Sequence, residues 1–179
     1  IVKNSAFSEK DVELKKKYLN KFIETGFPSR KLENWKFSDL GQIIKKNIGE
    51  LSFYSDYSMP NKVDTSIFVQ GLEHNKIFFI NGRVEKVDFG YEDYNKIEFN
   101  DDFKIVSELD DNNSLVSLNN AFTKKCYKIT VKKDYSLKKP LVVYHTTNDK
   151  IKFKNINLKL DFQLEQNSSL RLIDLINDE

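Results

Sequence analysis

The stretch NINLKLDFQL at residues 155–164 alternates strictly between polar and apolar side chains. A period of two with one polar and one apolar face is the pattern of a half-buried β-strand. From Cys126 onward, four apolar runs follow one another, separated by polar turns. They centre on Ile129, Val143, Leu158 and Leu172. Regularly spaced strands of this kind predict a β-sandwich, a β-barrel or a β-solenoid, and the periodicity does not choose among the three.

Two amphipathic helices are predicted at the start of the chain. The first begins after Ser8 and ends at Gly26, where Pro28 blocks its continuation. The second is expected from near Ser38 to Gly49. The apolar side chains of the first helix fall on one face: Val12, Leu14, Tyr18, Leu19, Phe22 and Ile23. We expect this face, and Tyr18 and Phe22 in particular, to pack on the body of the protein.

A mixed connection lies between the helices and the serial strands. Residues 50–66 have no clear period and are predicted to be loop, whereas residues 67–69 and 76–80 are β-rich. Asn81-Gly82 then predicts a tight hairpin, because both central residues of a type I′ turn need a positive φ.

A short strand around Ile97 and Phe99 and a short helix over Ser114–Phe122 complete this part of the chain. We therefore divide the chain into a helical region at 1–66, a mixed hairpin and short-helix connection at 67–125, and a β-structured region at 126–179.

Composition limits the classes of function. The 179 residues are 39% hydrophobic and carry 29 basic and 27 acidic side chains, so the net charge is only +2. Proteins that bind nucleic acid usually have a stronger basic excess, so we expect no nucleic-acid partner. No apolar run approaches the length of about 18–20 residues that a membrane span needs. The single cysteine excludes an internal disulfide framework and indicates a reducing compartment.

Few side chains are candidates for chemistry. Cys126 follows two lysines, but it lies at a predicted strand start, where a free cysteine is more often buried than reactive. His74 and His145 have no partners at metal-ligand spacing. The acidic pairs 101–102 and 110–111 lie beside asparagine and are predicted to be turns. The sequence thus predicts no catalytic, cofactor-binding or metal-binding residue.

The segment FPSRKLENWKFSDL at residues 27–40 holds the only tryptophan of the chain. It is predicted to be a proline-broken joint between the two helices, with Trp35 and Phe37 buried. Arg30 and Glu33 have the spacing of an ion pair one turn apart. An inter-helix packing joint explains these residues without any catalytic role.

The same segment resembles the N-terminal signature of the SufD family of the SUF iron–sulfur cluster assembly machinery. The matching residues are Pro28, Arg30, Lys31, Glu33, Trp35, Lys36, Phe37, Ser38 and Leu40. Phe37 stands where tyrosine is common. Further matches follow in the family's order at residues 77–83, 115–122, 129–131, 139–141, 155–164 and 168–175. The related SufB family shares the β-region but lacks this tryptophan signature.

The resemblance implies an α+β fold, in which an N-terminal helical region precedes the first rungs of a right-handed parallel β-helix. It implies a non-enzymatic scaffold subunit that works with SufB and SufC through parts mostly beyond residue 179. The parent complex would be associated with an iron–sulfur cluster and with reduced flavin, but no residue of this chain would bind either. The implied location is the cytoplasm, or the plastid stroma or another organelle in a eukaryote.

Two other classes of function remain open. One is a β-solenoid hydrolase acting on carbohydrate, which needs two carboxylates about 5–9.5 Å apart on a groove. The other is an oligomerisation module without a link to iron–sulfur assembly. If residues 170–176 form a terminal rung, their apolar side chains should be covered. We expect either that the chain is the N-terminal part of a longer protein or that a second copy covers this end.

Overall fold

The computed structural model describes residues 8–47, 52–53, 68–103, 113–148, 151 and 154–177. Over these residues the fold is α+β. The helices are α1 (Glu9–Thr25), a 3-10 helix (Glu33–Trp35), α2 (Leu40–Asn47) and α3 (Ser114–Phe122). The strands are β1 (Ser52–Phe53), β2 (Asn75–Ile80), β3 (Arg83–Asp88), β4 (Ile97–Phe103), β5 (Cys126–Val131), β6 (Leu141–Thr146), β7 (Lys154–Asn155), β8 (Lys159–Leu164) and β9 (Leu172–Asn177).

Most strands belong to two sheets. One sheet has the order β3-β2-β6-β9 and the other the order β4-β5-β8, while β1 and β7 form a separate pair. The pairs β2–β3 and β4–β5 are antiparallel. The pairs β2–β6, β6–β9 and β5–β8 are parallel. Both sheets therefore contain strands from the predicted mixed connection as well as from the serial β-region.

The serial strands alternate between the two sheets. Ile129 of β5 is in register with Phe162 of β8, and Val143 of β6 is in register with Asp174 of β9. β5 thus pairs with β8 and β6 with β9, each with the third strand after it along the chain and not with the next one. The described strands after Cys126 therefore do not form an antiparallel meander, in which neighbours along the chain would pair.

The turns of successive passes also lie side by side. Ser136 and Ser169 form a parallel bridge, and their hydroxyl groups are 2.7 Å apart. The Asp134 backbone N–H donates to the Gln166 carbonyl at 2.9 Å. The parallel register of the strands thus extends into the polar turns that connect them.

The main core lies between the two sheets. It is formed by buried side chains of β2, β5 and β6 and their neighbours: Ile77, Phe79, Ile97, Tyr127, Ile129, Val131, Leu137, Leu141 and Val143. A second cluster covers the other face of the first sheet and contains Phe78, Ile80, Val142 and Tyr144. Phe68 and Val69 pack on this second cluster but lie outside the strands, so the β-structure predicted at residues 67–69 is wrong for these two residues. Residue 67 lies outside the described residues.

The predicted hairpin is confirmed. β2 and β3 are joined by Asn81 and Gly82, whose φ angles are +52° and +77°. Asparagine and glycine are the residues that adopt this left-handed conformation most readily. The turn is also tied to the neighbouring pass, because Asn81 Nδ2 donates to Asn148 Oδ1 at 2.8 Å.

The first helix is also confirmed. Ser8 and Asp11 form a capping box, in which the Ser8 N–H donates to Asp11 Oδ2 at 2.9 Å, and Gly26 caps the other end. α1 packs against α3 and buries Tyr18. α3 is itself fixed to the sheets, since Asn119 Nδ2 donates to the Leu158 carbonyl at 2.9 Å.

Two loop predictions were wrong. Ser52 and Phe53, inside the predicted loop at residues 50–66, form β1 and pair in parallel with Lys154 and Asn155 of β7. The two strands of this pair are far apart in the sequence, so the local pattern of apolar and polar residues does not indicate the pairing. The pair 101–102 lies in β4 and not in a turn, at a place where the register of β4 on β5 is interrupted. The acidic pair at 110–111 and the end of α2 near Gly49 lie outside the described residues.

Candidate functional site

The tryptophan-containing joint forms an exposed surface between α1 and α2. Pro28 is buried and Trp35 is half-buried within the 3-10 helix. Phe37 is 88% exposed, so the prediction that it is buried was wrong. Phe37 lies in the turn that follows the 3-10 helix, before α2 begins at Leu40.

The charged residues of this joint form a local ion pair. Glu33 Oε1 lies 2.6 Å from Lys36 Nζ, so Glu33 pairs with Lys36 rather than with Arg30. The same ammonium group lies 5.1 Å from the centre of the Phe37 ring. Arg30 and Lys31 are exposed. The joint therefore presents cationic and aromatic groups to solvent.

A cleft of about 570 Å³ opens between the last strands of the two sheets. Its walls are mainly apolar and include Phe79, Leu160, Phe162 and Ile176. Two ionisable side chains, His145 and Asp174, belong to the lining. At this cleft the apolar layer between the two sheets is open to solvent.

His145 and Asp174 form an ion pair in the lining of this cleft. His145 Nε2 lies 2.8 Å from Asp174 Oδ1, and the imidazole ring stacks on Phe79 with 5.4 Å between ring centres. Asp174 is in register with Val143, a core residue, so its carboxylate occupies an inward position of β9. Sequence reasoning named His145 but missed Asp174. The available signal was one acid inside the apolar run LIDLIN at residues 172–177.

The rim of the cleft exposes large apolar side chains. Leu164 of β8 is 49% exposed, and Leu172 and Ile176 of β9 are 44% and 75% exposed. Ile173 and Leu175, on the other face of β9, pack against the second cluster. The apolar layer between the sheets is thus continuous up to β8 and β9 and is uncovered there.

Cys126 is buried at the start of β5, as the sequence predicts for a structural cysteine. It is 3% exposed, and burial raises the pKa of its thiol against the attraction of Lys159 and Lys15. A buried thiol with a raised pKa is a poor nucleophile and a poor metal ligand. Because a cluster bound within one chain usually takes four cysteine thiolates, the donor set of this chain does not fit an iron–sulfur cluster.

Lys15 fixes α1 to the end of α3 beside this cysteine. Its Nζ donates to the carbonyl oxygens of Thr123 and Asn120, and burial lowers the pKa of its ammonium group. Lys159 Nζ donates to Asn120 Oδ1 at 3.3 Å. The two bonds from Lys15 cap backbone carbonyls at the end of α3, which is a structural role.

His74 is held in a buried hydrogen-bond chain and not in a metal site. Its Nδ1 lies 2.6 Å from the Leu72 carbonyl and therefore carries the proton. The Tyr144 hydroxyl then donates to His74 Nε2 at 2.6 Å and accepts from the Val69 N–H at 3.0 Å. This network fastens residues 68–74 to the outer face of the first sheet.

Asp93 is a buried carboxylate that sequence reasoning missed. Burial by itself would raise the pKa of Asp93, but the hydrogen bonds from Asn75 Nδ2, the Lys138 and Lys139 N–H groups and the Tyr135 hydroxyl outweigh it. The pKa is therefore held below its ordinary value. All the donors belong to the fold itself, so Asp93 joins the turn after β3 to the connection before β6.

The described residues hold no group of three or more His, Cys, Asp or Glu side chains placed to bind a metal ion. None of the described helices has both the length and the apolarity needed to cross a membrane. No protein-family profile matches the chain, and no curated protein sequence matches it either.

Proposed function

We propose that this chain is the N-terminal part of a SufD-like scaffold subunit that works with SufB and SufC in iron–sulfur cluster assembly. In this proposal the chain is not an enzyme, and the cluster is cargo of the complex and not a cofactor of these residues. The proposed location is the cytoplasm, or an organelle in a eukaryote. The proposed fold is the beginning of a right-handed parallel β-helix behind a helical region.

One observation carries the proposal. The serial strands pair in parallel at a nearly constant step, so that residue 129 meets 162 and residue 143 meets 174. In the sequence these strands follow a joint that carries the signature residues Pro28 and Trp35. Stacked parallel passes after such a joint are the architecture that the family resemblance implies.

The exposed joint supports a role in binding. Phe37 is solvent-exposed and lies beside Lys36, although it belongs to the signature segment. A large aromatic side chain left in water contributes little to folding and is a typical anchor at a protein interface.

The residues that line the cleft favour a scaffold function rather than a carbohydrate hydrolase. Of the described residues that line it, Asp174 is the one carboxylate, and it is already bonded to His145. Hydrolysis of a glycosidic bond by the usual mechanism takes two carboxylates on either side of the bond.

Co-purification tests the proposal. The full reading frame that contains residues 1–179 is expressed with a tag, together with SufB and SufC, and an unrelated bait with the same tag serves as the control. We expect both partners to elute with the tagged protein in stoichiometric amounts. If SufB and SufC form their own complex and the tagged protein elutes alone, the proposal is wrong. Neighbouring genes for an ABC-type ATPase and a cysteine desulfurase would support it independently.

A further inference from the structure

The joint between α1 and α2 exposes two large apolar side chains among cations. Phe37 is 88% exposed and Leu32 is 55% exposed. Arg30, Lys31 and Lys36 are exposed as well. We call these five residues the joint surface. Apolar side chains that stay in water contribute little to folding, so two of them beside three cations indicate a surface that binds a partner.

The backbone of the joint surface is held in one conformation by consecutive turns. The Leu32 N–H donates to the Ser29 carbonyl at 3.0 Å. The Trp35 N–H donates to the Leu32 carbonyl at 2.8 Å, and the Ser38 N–H donates to the Trp35 carbonyl at 2.9 Å. Pro28 is buried at the start of the segment. An ordered surface loses little conformational entropy when it binds, so the joint surface is preorganised.

Basic side chains outnumber acidic ones in this part of the chain. Residues 27–47 contain five basic and two acidic side chains, a net charge of +3 against +2 for the whole chain. Both acids already have partners nearby. Glu33 Oε1 lies 2.6 Å from Lys36 Nζ, and Asp39 Oδ1 accepts from the Gln42 N–H at 2.9 Å. The charge that remains for a partner is therefore positive.

Arg30 and Lys31 carry this remaining charge next to Leu32. Neither cation forms an ion pair with a carboxylate of the described residues. Carboxylates of a partner would complement them, because binding surfaces are arranged so that opposite potentials meet. An apolar side chain of the same partner would cover Leu32 and remove its apolar surface from water. The chemistry that fits is thus an acidic protein segment with an apolar side chain between its acids.

The surroundings of Phe37 disfavour insertion into a membrane. Lys36 Nζ lies 5.1 Å from the centre of the Phe37 ring, and the same ammonium group pairs with Glu33. Insertion of the ring into hydrocarbon would take this ion pair out of water or break it, and either event costs free energy. A protein partner avoids the cost, because it can place a carboxylate beside the ammonium group.

Nucleic acid and a second copy of the chain fit this surface less well. Arginine is the residue that binds phosphate in two places at once, and Arg30 is the one arginine of residues 27–47. A net charge of +2 for the chain is also small for a protein that binds nucleic acid. Two joint surfaces that face each other across a two-fold axis would bring like charges together.

We propose that the joint surface binds an acidic segment of a partner protein. Phe37 and Leu32 pack against an apolar side chain of that segment, and the three cations of the joint surface pair with carboxylates on either side of it. The inference rests on the proposed function only in so far as that function gives the joint a role in binding. Its new content is the chemistry of the partner.

Peptide binding tests this inference with a defined probe. The probe is a fluorescent peptide of the sequence Glu-Asp-Leu-Phe-Asp-Glu, and its binding to the chain is measured by fluorescence anisotropy. One comparison peptide has lysine in place of every acid, and another has serine in place of leucine and phenylalanine. We expect saturable binding of the probe and about tenfold weaker binding of each comparison peptide. Binding of the probe should also weaken as salt is added, because the paired charges are exposed.

Variants of the chain test whether the probe binds at the joint surface. Phe37→Ser should weaken binding about tenfold and Lys31→Glu about fivefold. Both side chains are exposed, so the thermal midpoint should stay unchanged. Leu32→Ser serves if Phe37→Ser fails to fold. Tyr91→Ser and Lys10→Glu make matched changes at exposed positions outside the joint and should leave the affinity unchanged.

Three results would overturn the inference. The first is equal affinity for the acidic and the lysine peptide, or no saturable binding of the probe. The second is binding that Phe37→Ser and Lys31→Glu leave unchanged. The third is a different occupant. It would be revealed by Phe37-dependent binding to phosphatidylserine vesicles or to oligouridylate that is tighter than binding to the probe, or by self-association that Phe37→Ser abolishes.

The failure of this inference is distinguishable from the failure of the proposed function. The peptide experiment contains neither SufB nor SufC, so its negative result removes the acidic partner alone. Separate elution of the full reading frame from SufB and SufC removes the assignment to the SUF machinery, even if the chain binds the acidic peptide at the joint surface.

Discussion

Asn167 Nδ2 donates a hydrogen bond to Asp134 Oδ1 at 2.8 Å, and both residues have a φ of +57°. They are 33 positions apart and occupy equivalent turns of successive passes, after β5 and after β8. The left-handed conformation is tolerated by asparagine and aspartate better than by other residues with a side chain. The turns after β5 and β8 therefore repeat a backbone geometry without using glycine.

Replacing Asn167 should separate the backbone contribution of this turn from its hydrogen bond. Asn167→Ala is expected to lower the free energy of unfolding by about 1–2 kcal/mol, because alanine is strained at this φ and the bond to Asp134 is lost. Asn167→Gly loses only the bond and should cost about 0.5–1 kcal/mol. Urea denaturation followed by circular dichroism measures both. Equal costs for alanine and glycine would mean that the backbone conformation is not strained.

Asp93 should make stability depend on pH in the acid range. Its pKa is lower in the folded protein than in the unfolded chain, so its contribution is complete above the unfolded value of about 3.9 and is lost as the pH falls through the folded value. Asp93→Asn should cost roughly 2–4 kcal/mol at pH 7. The difference between the unchanged protein and this variant should shrink below pH 4 in urea denaturation. Tyr135→Phe removes one donor and should give a smaller effect in the same direction, whereas a difference that stays constant with pH contradicts the assignment.

Tyr144 should stabilise the packing of residues 68–74 through its hydroxyl group. Tyr144→Phe keeps the ring in the second cluster but removes the bonds to His74 and to the Val69 N–H. The expected cost is about 1–3 kcal/mol, because buried polar partners are left unsatisfied. Tyr94→Phe, at an exposed position, is the matched control and should leave the thermal midpoint unchanged. If both variants unfold at the same temperature, the network does not contribute.

The face of α1 that packs on α3 should be essential for stability. Tyr18→Ala is expected to cost about 3 kcal/mol because Tyr18 is buried. Phe22 is only half-buried and contacts Phe27 edge to face at 5.1 Å, so Phe22→Ala should cost less, about 1–2 kcal/mol. Ile23 on the same helix is 68% exposed and provides the control. If Tyr18→Ala and Ile23→Ala unfold at the same urea concentration, α1 is not docked.

Features set by neighbouring residues were predictable. The helix start at Ser8, the positive φ at Asn81 and Gly82 and the helix of residues 114–122 follow from local hydrogen bonding and sterics, and the structure has all three. The prediction that Phe37 is buried was wrong, because an apolar residue type leads to burial only where the fold provides a neighbour for it. Asp174 and Asp93 were missed because their surroundings come from residues far away in the chain.

The sequence by itself determined the first helix, the helix over residues 114–122 and the hairpin at Asn81-Gly82, since period, capping and backbone preference act over a few residues. Only the tertiary structure decided that β5 pairs in parallel with β8 and β6 with β9, which places Asp174 of β9 beside His145 of β6. Alternation specifies the buried face of a strand but not its neighbour. The neighbour depends on how two apolar faces, one from each sheet, close over a common core.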